Sequence, residues 1–137
     1  MAGHLIRRLN QISTQVFATR VQEAGFDLTQ VQFAAMDAIA THPGIDQAGV
    51  AALIAYDRAT IGGVIDRLEQ KGLIERSIAR HDRRARSVRL TARGERVFAE
   101  LLPVVTRLQD EILSALAPDE RTTFLSLARK AVGEIAE

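Results

Sequence analysis

The sequence predicts a mostly α-helical chain of six helices, interrupted once by a small β-hairpin. Three observations predict it. Apolar residues recur at three- and four-residue spacings through both ends of the chain, residues that favour helix starts precede several of those stretches, and between Leu73 and Thr91 the period drops towards two.

Leu5, Leu9, Ile12 and Val16 mark one face of a first helix over about 4–24, with Gly25 placed to end it. Thr29-Gln-Val-Gln32 has the spacing of a capping box and opens a second helix. That helix carries Val31, Ala34, Ala35, Ala38 and Ile39 and stops at His42-Pro43-Gly44. Asp46 can cap a short third helix through about Ala55. Asp57 can cap a fourth from Arg58 to Lys71, closed by Gly72. Ile74 and Ile78 then interleave with Arg76 and Arg80, and Val88 and Leu90 with Arg89, giving two short strands joined by a loop His81–Arg86. Thr91 can cap a long fifth helix striped by Val97, Leu101, Val104, Leu108, Ile112 and Leu116, with a kink expected at Pro103. Pro118, Asp119 and Glu120 suit the first turn of a sixth helix, whose apolar face is Phe124, Leu127, Ala131 and Ile135.

With 137 residues the chain fits one subunit, and no repeat or linker divides it. The absence of cysteine excludes a disulfide framework, a thiolate metal site and a thiol redox switch. No stretch reads as a signal peptide or membrane span, so a cytoplasmic protein with no membrane partner is expected. The formal net charge of +1 conceals an uneven distribution. Eight arginines lie between Arg76 and Arg96 against only Asp82 and Glu95, a local excess of six positive charges. Such an island points to a polyanion-binding face. Sixteen of the 18 basic residues are arginine, whose forked head suits phosphates and guanine edges; a biased genome composition would produce the same excess.

A helix, a tight turn, a second helix and a hairpin together make a winged helix-turn-helix. The first, fifth and sixth helices carry more apolar surface than such a module buries, which predicts a homodimer. The expected organisation is a single subunit, 1–137, with dimerisation regions at 1–28 and 97–137 around a DNA-binding module at 29–96.

Two segments carry a resemblance. Ala59-Thr-Ile-Gly-Gly-Val-Ile-Asp-Arg-Leu-Glu-Gln-Lys-Gly-Leu-Ile74 resembles the recognition helix and strand entry of MarR-family transcriptional regulators. His81-Asp-Arg-Arg-Ala-Arg-Ser-Val-Arg-Leu-Thr-Ala-Arg-Gly94 resembles their wing, including the Asp-x-Arg element at Asp82 and Arg84, and Leu116-Ala-Pro-Asp-Glu120 is similar to the turn before their last helix. The resemblance covers essentially the whole chain. It implies a dimeric double-stranded-DNA binder, often a repressor released by a small ligand, and it makes Arg84 the residue that enters the minor groove.

The residues themselves point the same way. If Ile61, Val64, Ile65 and Leu68 are buried, then Arg58, Ala59, Thr60, Gly63 and Arg67 face outward, towards a major groove if DNA is present. Gly62-Gly63 costs about 1 kcal/mol per glycine relative to alanine, which close approach to DNA or to the preceding helix would justify. Arg80, Arg83, Arg84 and Arg86 crowd the wing, where Asp82 can hold one of them in a bidentate pair. The competing reading is a surface helix with a packing glycine and a solvated charged hairpin.

Candidates for a small-molecule effector site are His4, Arg8, Phe17, Arg20, Phe33, Met36 and Tyr56; an arginine beside aromatics would suit an aromatic carboxylate, and core packing is the alternative for Phe33 and Met36. His4, His42 and His81 show no ligand spacing, so neither metal nor other cofactor is expected. No GxSxG, Walker, HExxH or Rossmann motif supports an enzyme. The expected function is a sequence-specific repressor acting on a near-palindromic operator. The alternatives are an activator, a ligand-independent architectural DNA binder or a helical dimerisation module without DNA.

Overall fold

The computed structural model describes residues 1–54, 57–79 and 82–134, with backbone alone at 58, 78, 79 and 82–86. Within them lie α1 (Ala2–Glu23), α2 (Gln30–Thr41), α3 (Gln47–Leu53), α4 (Arg58–Gln70), β1 (Ile74–Ala79), β2 (Asp82–Leu90), α5 (Ala92–Ile112) and α6 (Pro118–Ala131). Six helices and one antiparallel hairpin are the predicted composition, in the predicted order.

The local causes are the capping side chains. Thr29 accepts from the Gln32 amide while Gln32 Oε1 accepts from the Thr29 amide, closing the box that starts α2. Asp46 accepts from Gly49 N at 2.7 Å and Asp57 from Thr60 N at 2.8 Å, starting α3 and α4. Gly25 and Gly72, at φ of 88° and 75°, supply the left-handed turns after α1 and α4. The predicted first helix begins two residues earlier than expected and ends one earlier. α5 continues through Pro103 as one helix.

One core lies under the helix-turn-helix. Ile61, Val64, Ile65 and Leu68 of α4 pack with Met36 of α2, Val50 of α3, Ile74 and Val88 of the hairpin, and Leu101 and Leu108 of α5. Each fully buried aliphatic contributes about 1.5–3 kcal/mol, so α4 is held by one whole face. α1 packs along α5 through its C-terminal half, where Phe17 and Val21 are buried. Its N-terminal half is exposed, and α6 buries no residue.

Two features of the hairpin correct the sequence expectation. The strands extend to the Ala79↔Asp82 pair, so Asp82–Arg86 belong to β2 and not to a loop. Composition misled here: arginines crowd a segment that backbone pairing makes a strand. The register shifts between Ile78 and Ala79, leaving Arg83, Arg84 and Ala85 without partners on β1. Secondly, Arg76 does not alternate with Ile74. Residues two apart share a strand face, and Arg76 pairs across with Val88 on the face where Ile74 and Val88 are buried.

A third short segment braces the wing. Val88 N donates to Ile45 O at 2.9 Å, and Asp46 bridges Ser87. The base of the wing is thereby fixed to the turn before α3.

Candidate nucleic-acid interface

The outward face of α4 follows from its buried face. With Ile61, Val64, Ile65 and Leu68 inside, Ala59, Thr60, Gly63 and Arg67 are exposed. Arg58 begins the helix, but its side chain lies outside the described residues, as does all of Arg80. Among the described residues, a Cβ added to Gly63 would meet nothing within 4 Å, and one added to Gly62 would meet Gln47 Nε2 at 3.4 Å. Packing among the described residues therefore does not account for this pair of glycines. Their small profile leaves the backbone open to whatever approaches the face.

Thr60 is already engaged. Its hydroxyl donates to Asp57 Oδ2 at 2.9 Å, beside the backbone cap, and these bonds hold the Asp57 carboxyl below the usual carboxylate value. The hydroxyl retains acceptor capacity, which suits a base amino group better than a phosphate oxygen.

The backbones of Asp82, Arg83, Arg84 and Arg86 lie on β2, on the hairpin that follows α4; their side chains, and so the proposed Asp82 pairing, lie outside the described residues. Sequence reasoning missed Arg89, which is exposed on the same strand and donates to Glu75 Oε1 at 2.5 Å. It also missed the ion pair between Arg76 and Asp66 of α4. Strand parity was the available signal: Arg89 lies one residue from buried Val88, and Arg76 two from Ile74.

The orientation of α4 is fixed at its other end as well. Lys71 Nζ donates to Asp27 O at 2.6 Å and to Gln32 Oε1 at 3.2 Å, so buried Gln32 ties the start of α2 to the end of α4. Thr91 Oγ1 donates to Gly72 O at 2.6 Å, and Arg93 Nη1 to Lys71 O at 3.2 Å, joining α5 to the same turn.

The candidate effector residues are dispersed. Phe17, Phe33 and Met36 are buried together in the core; the Phe17 and Phe33 rings lie 6.3 Å apart, and Phe33 stacks on Phe98 at 5.5 Å. Arg20 makes a two-bond pair with Glu111 of α5, at 2.8 and 2.5 Å, and a further bond to Glu23 at 2.8 Å. That pairing holds Arg20 firmly charged and the Glu111 carboxyl below its usual value. Arg20 borders a groove of about 340 Å³ shared with Val104, Arg107 and Leu108. His4 and Arg8 are exposed on the first turns of α1, and Tyr56 lies outside the described residues. Among the described residues no cluster of three metal-ligating side chains occurs, and no helix is long and apolar enough to cross a membrane.

The architecture, a helix-turn-helix whose second helix presents an open face beside an arginine-bearing hairpin, is that of a winged-helix protein. A model of the MarR family matches residues 26–85, which span the whole helix-turn-helix and most of the hairpin. Over 129 residues the chain is 37% identical to the transcriptional regulator HosA of Escherichia coli, covering 94% of this chain and 93% of that protein. It is 32% identical to the HTH-type transcriptional repressor NicR of Pseudomonas putida, over 95% of this chain and 81% of that one. The structure of Bordetella bronchiseptica BpsR, whose DNA binding is regulated by 6-hydroxynicotinic acid, superposes with a TM-score of 0.89 at 30% identity, covering all of this chain and 95% of BpsR. The chain belongs to the MarR family and is a transcriptional regulator.

Proposed function

We propose that this chain is a homodimeric repressor that binds a near-palindromic DNA operator and releases it on binding a small aromatic carboxylate. The observation that carries DNA binding is the exposed set Ala59, Thr60, Gly63 and Arg67 on α4, beside a strand bearing Arg83, Arg84, Arg86 and Arg89. In this reading α4 enters the major groove and residues 80–86 reach the adjacent minor groove, with Arg84 inserted and Arg80, Arg83 and Arg86 on phosphates. Asp82 orients one of these arginines. The protein acts by occupying DNA and has no catalytic role.

Dimerisation is supported by apolar surface left open in one subunit. Leu5 and Leu127 are 61% and 60% exposed, with Ile6, Ile12, Leu125 and Val132 also open. They lie on α1 and α6 and beyond, in the segments 1–28 and 97–137, outside the module at 29–96. Pairing two subunits through them would set two copies of α4 about 34 Å apart, one turn of DNA.

An aromatic carboxylate effector is favoured by the likeness to BpsR, since 6-hydroxynicotinic acid is one. Within the candidate set, His4 and Arg8 stand one helical turn apart and exposed, positioned for a carboxylate. Arg20 would serve only by leaving Glu111, while Phe17, Phe33 and Met36 would supply an apolar floor by repacking. The cytoplasm, where the operator would be, is the proposed location.

The test is a binding titration of the purified protein on the intergenic DNA upstream of its own coding sequence, with salt and competitor DNA varied. Tight binding that competitor fails to displace, with a steep salt slope, is expected; addition of 6-hydroxynicotinate or benzoate analogues should then release the complex. Equal displacement by any DNA would favour an architectural role, and no binding at low salt would remove the DNA reading altogether.

A further inference from the structure

We infer that Arg76 and Asp66 form a strap between the wing and the recognition helix, and that this strap holds the two in the relative orientation needed to read base sequence. The inference rests on the DNA-binding reading above and concerns residues outside the proposed contact set.

Arg76 is an unusual occupant of its position. It sits on the inner face of β1, opposite buried Val88 and two residues from buried Ile74, and its side chain is only 18% exposed. Putting a guanidinium there forfeits much of its hydration. Its Nε is buried and has no hydrogen-bond partner among the described residues. What it does have is Asp66: Arg76 Nη2 donates to Asp66 Oδ1. An aliphatic side chain continuing from Ile74 would serve the core better, and a pair with one partner 58% exposed adds little stability. The arrangement therefore needs a reason other than stability.

Asp66 supplies it. It follows Gly63 by three residues and Ala59 by seven, so all three share the outward side of α4. A bare carboxylate on that side would repel phosphates of any sequence. Arg76 neutralises it, and does so from the hairpin rather than from the helix. One charge-assisted bond thus ties the rotation of α4 about its axis to the position of β1. Apolar packing of α4 on Ile74 and Val88 and the turn at Lys71–Leu73 also join the two, and among the described residues this pair is the charge-assisted link between them. Base reading by α4 and groove insertion by the wing must occur together, so their relative orientation bears on specificity more than on overall affinity.

The experiment compares Arg76→Met, Asp66→Asn and the double variant with the parent protein. Two probes are used: the duplex from upstream of its own coding sequence, and a scrambled duplex of equal length and composition. Each single variant should lower the ratio of the two affinities about tenfold, the scale of one disturbed base contact. The double variant should lose no more than Arg76→Met alone, because both changes cut the same strap. Thermal melts should show all variants folded.

If Arg76→Met weakens both probes alike and lowers the salt slope by about one, Arg76 is a phosphate contact and the strap is overturned. If the parent discriminates and every variant discriminates equally, the strap is likewise overturned while the DNA reading stands. A parent that binds neither probe overturns both.

Discussion

The same substitution at two glycines should have opposite consequences, and the reason is space alone. Neither Gly63 nor Gly94 has a positive φ, and both lie in helices, so backbone conformation does not distinguish them. At Gly63 an added Cβ meets nothing within 4 Å among the described residues; at Gly94 it would fall 1.9 Å from the carbonyl oxygen of Leu73 and 2.9 Å from its carbon. Gly63→Ala should therefore gain the helix propensity of alanine, about 1 kcal/mol, or about 3–5 °C in Tm for a domain of this size. Gly94→Ala must push the start of α5 away from the α4–β1 turn, breaking backbone contacts that no rotamer change can spare. Overpacking of that kind costs about 1–3 kcal/mol or more. Thermal unfolding followed by circular dichroism, at one fixed protomer concentration because association shifts Tm, measures both. DNA binding should separate them further: the more stable Gly63→Ala should bind the upstream duplex less well, since its methyl intrudes on the proposed contact face. A Gly63→Ala protein less stable than the parent, or a Gly94→Ala protein equally stable, would refute the spatial argument. Unchanged DNA affinity in Gly63→Ala would refute close approach at that face.

Four other outcomes are expected. Arg84→Ala should weaken operator binding by about 1–3 kcal/mol while sedimentation shows an intact dimer. Leu127→Glu, placing a charge on the exposed apolar side of α6, should shift sedimentation towards the monomer with helix content retained. Thr91→Ala removes both the acceptor for Gly94 N and the donor to Gly72 O, so urea unfolding should show a loss of about 1–2 kcal/mol that Thr91→Ser largely restores. For Glu111, whose carboxyl is depressed in the folded state by Arg20, the pair stabilises above the ordinary carboxylate value of 4.5 and is lost as pH falls through the lower folded value. Glu111→Gln should therefore reduce stability at neutral pH and flatten its decline below pH 4.5, as read from denaturant midpoints across that range.

What the sequence made legible was whatever a local side chain decides. Thr29, Asp46, Asp57 and Thr91 each accept the backbone bond their position predicts, so the starts of α2, α3, α4 and α5 were readable to the residue, while α1, with no capping side chain, was not. The exposed side of α4 was equally readable, because four buried aliphatics at helical spacing leave one possible outside. Non-local backbone pairing was not readable. Nothing in Ile45 or Ser87 announces that the turn before α3 braces β2, and the arginine content of 83–86 disguised a strand as a loop. Arg76 was misplaced for a different reason: its charge was weighed above its parity with Ile74, yet burial against Asp66 let parity prevail. Phe17, Phe33 and Met36 show a third limit. Residue type identifies apolar partners, but whether they line a cavity or fill one depends on α5, whose Phe98 stacks on Phe33.

The attachments around the α4–β1 turn constrain how any signal could reach DNA. Thr91 binds Gly72 through its hydroxyl at 2.6 Å and Leu73 through its amide at 3.0 Å, Arg93 reaches Lys71 O at 3.2 Å, and Gly94 lies against Leu73 with no room for a methyl. From the other side, Lys71 grips Asp27 and Gln32. The end of α4 therefore cannot shift relative to the start of α5 without breaking several backbone-directed bonds at once. α5 in turn carries α1 through Arg20 and Glu111. In the proposed dimer, changing the distance between the two copies of α4 is cheaper by tilting each α1–α5 unit with its α4 attached than by bending within a subunit. An effector acting on spacing would thus have to bind the two dimer arrangements with different affinity, at the helices that join the subunits, and not distort the recognition helix itself.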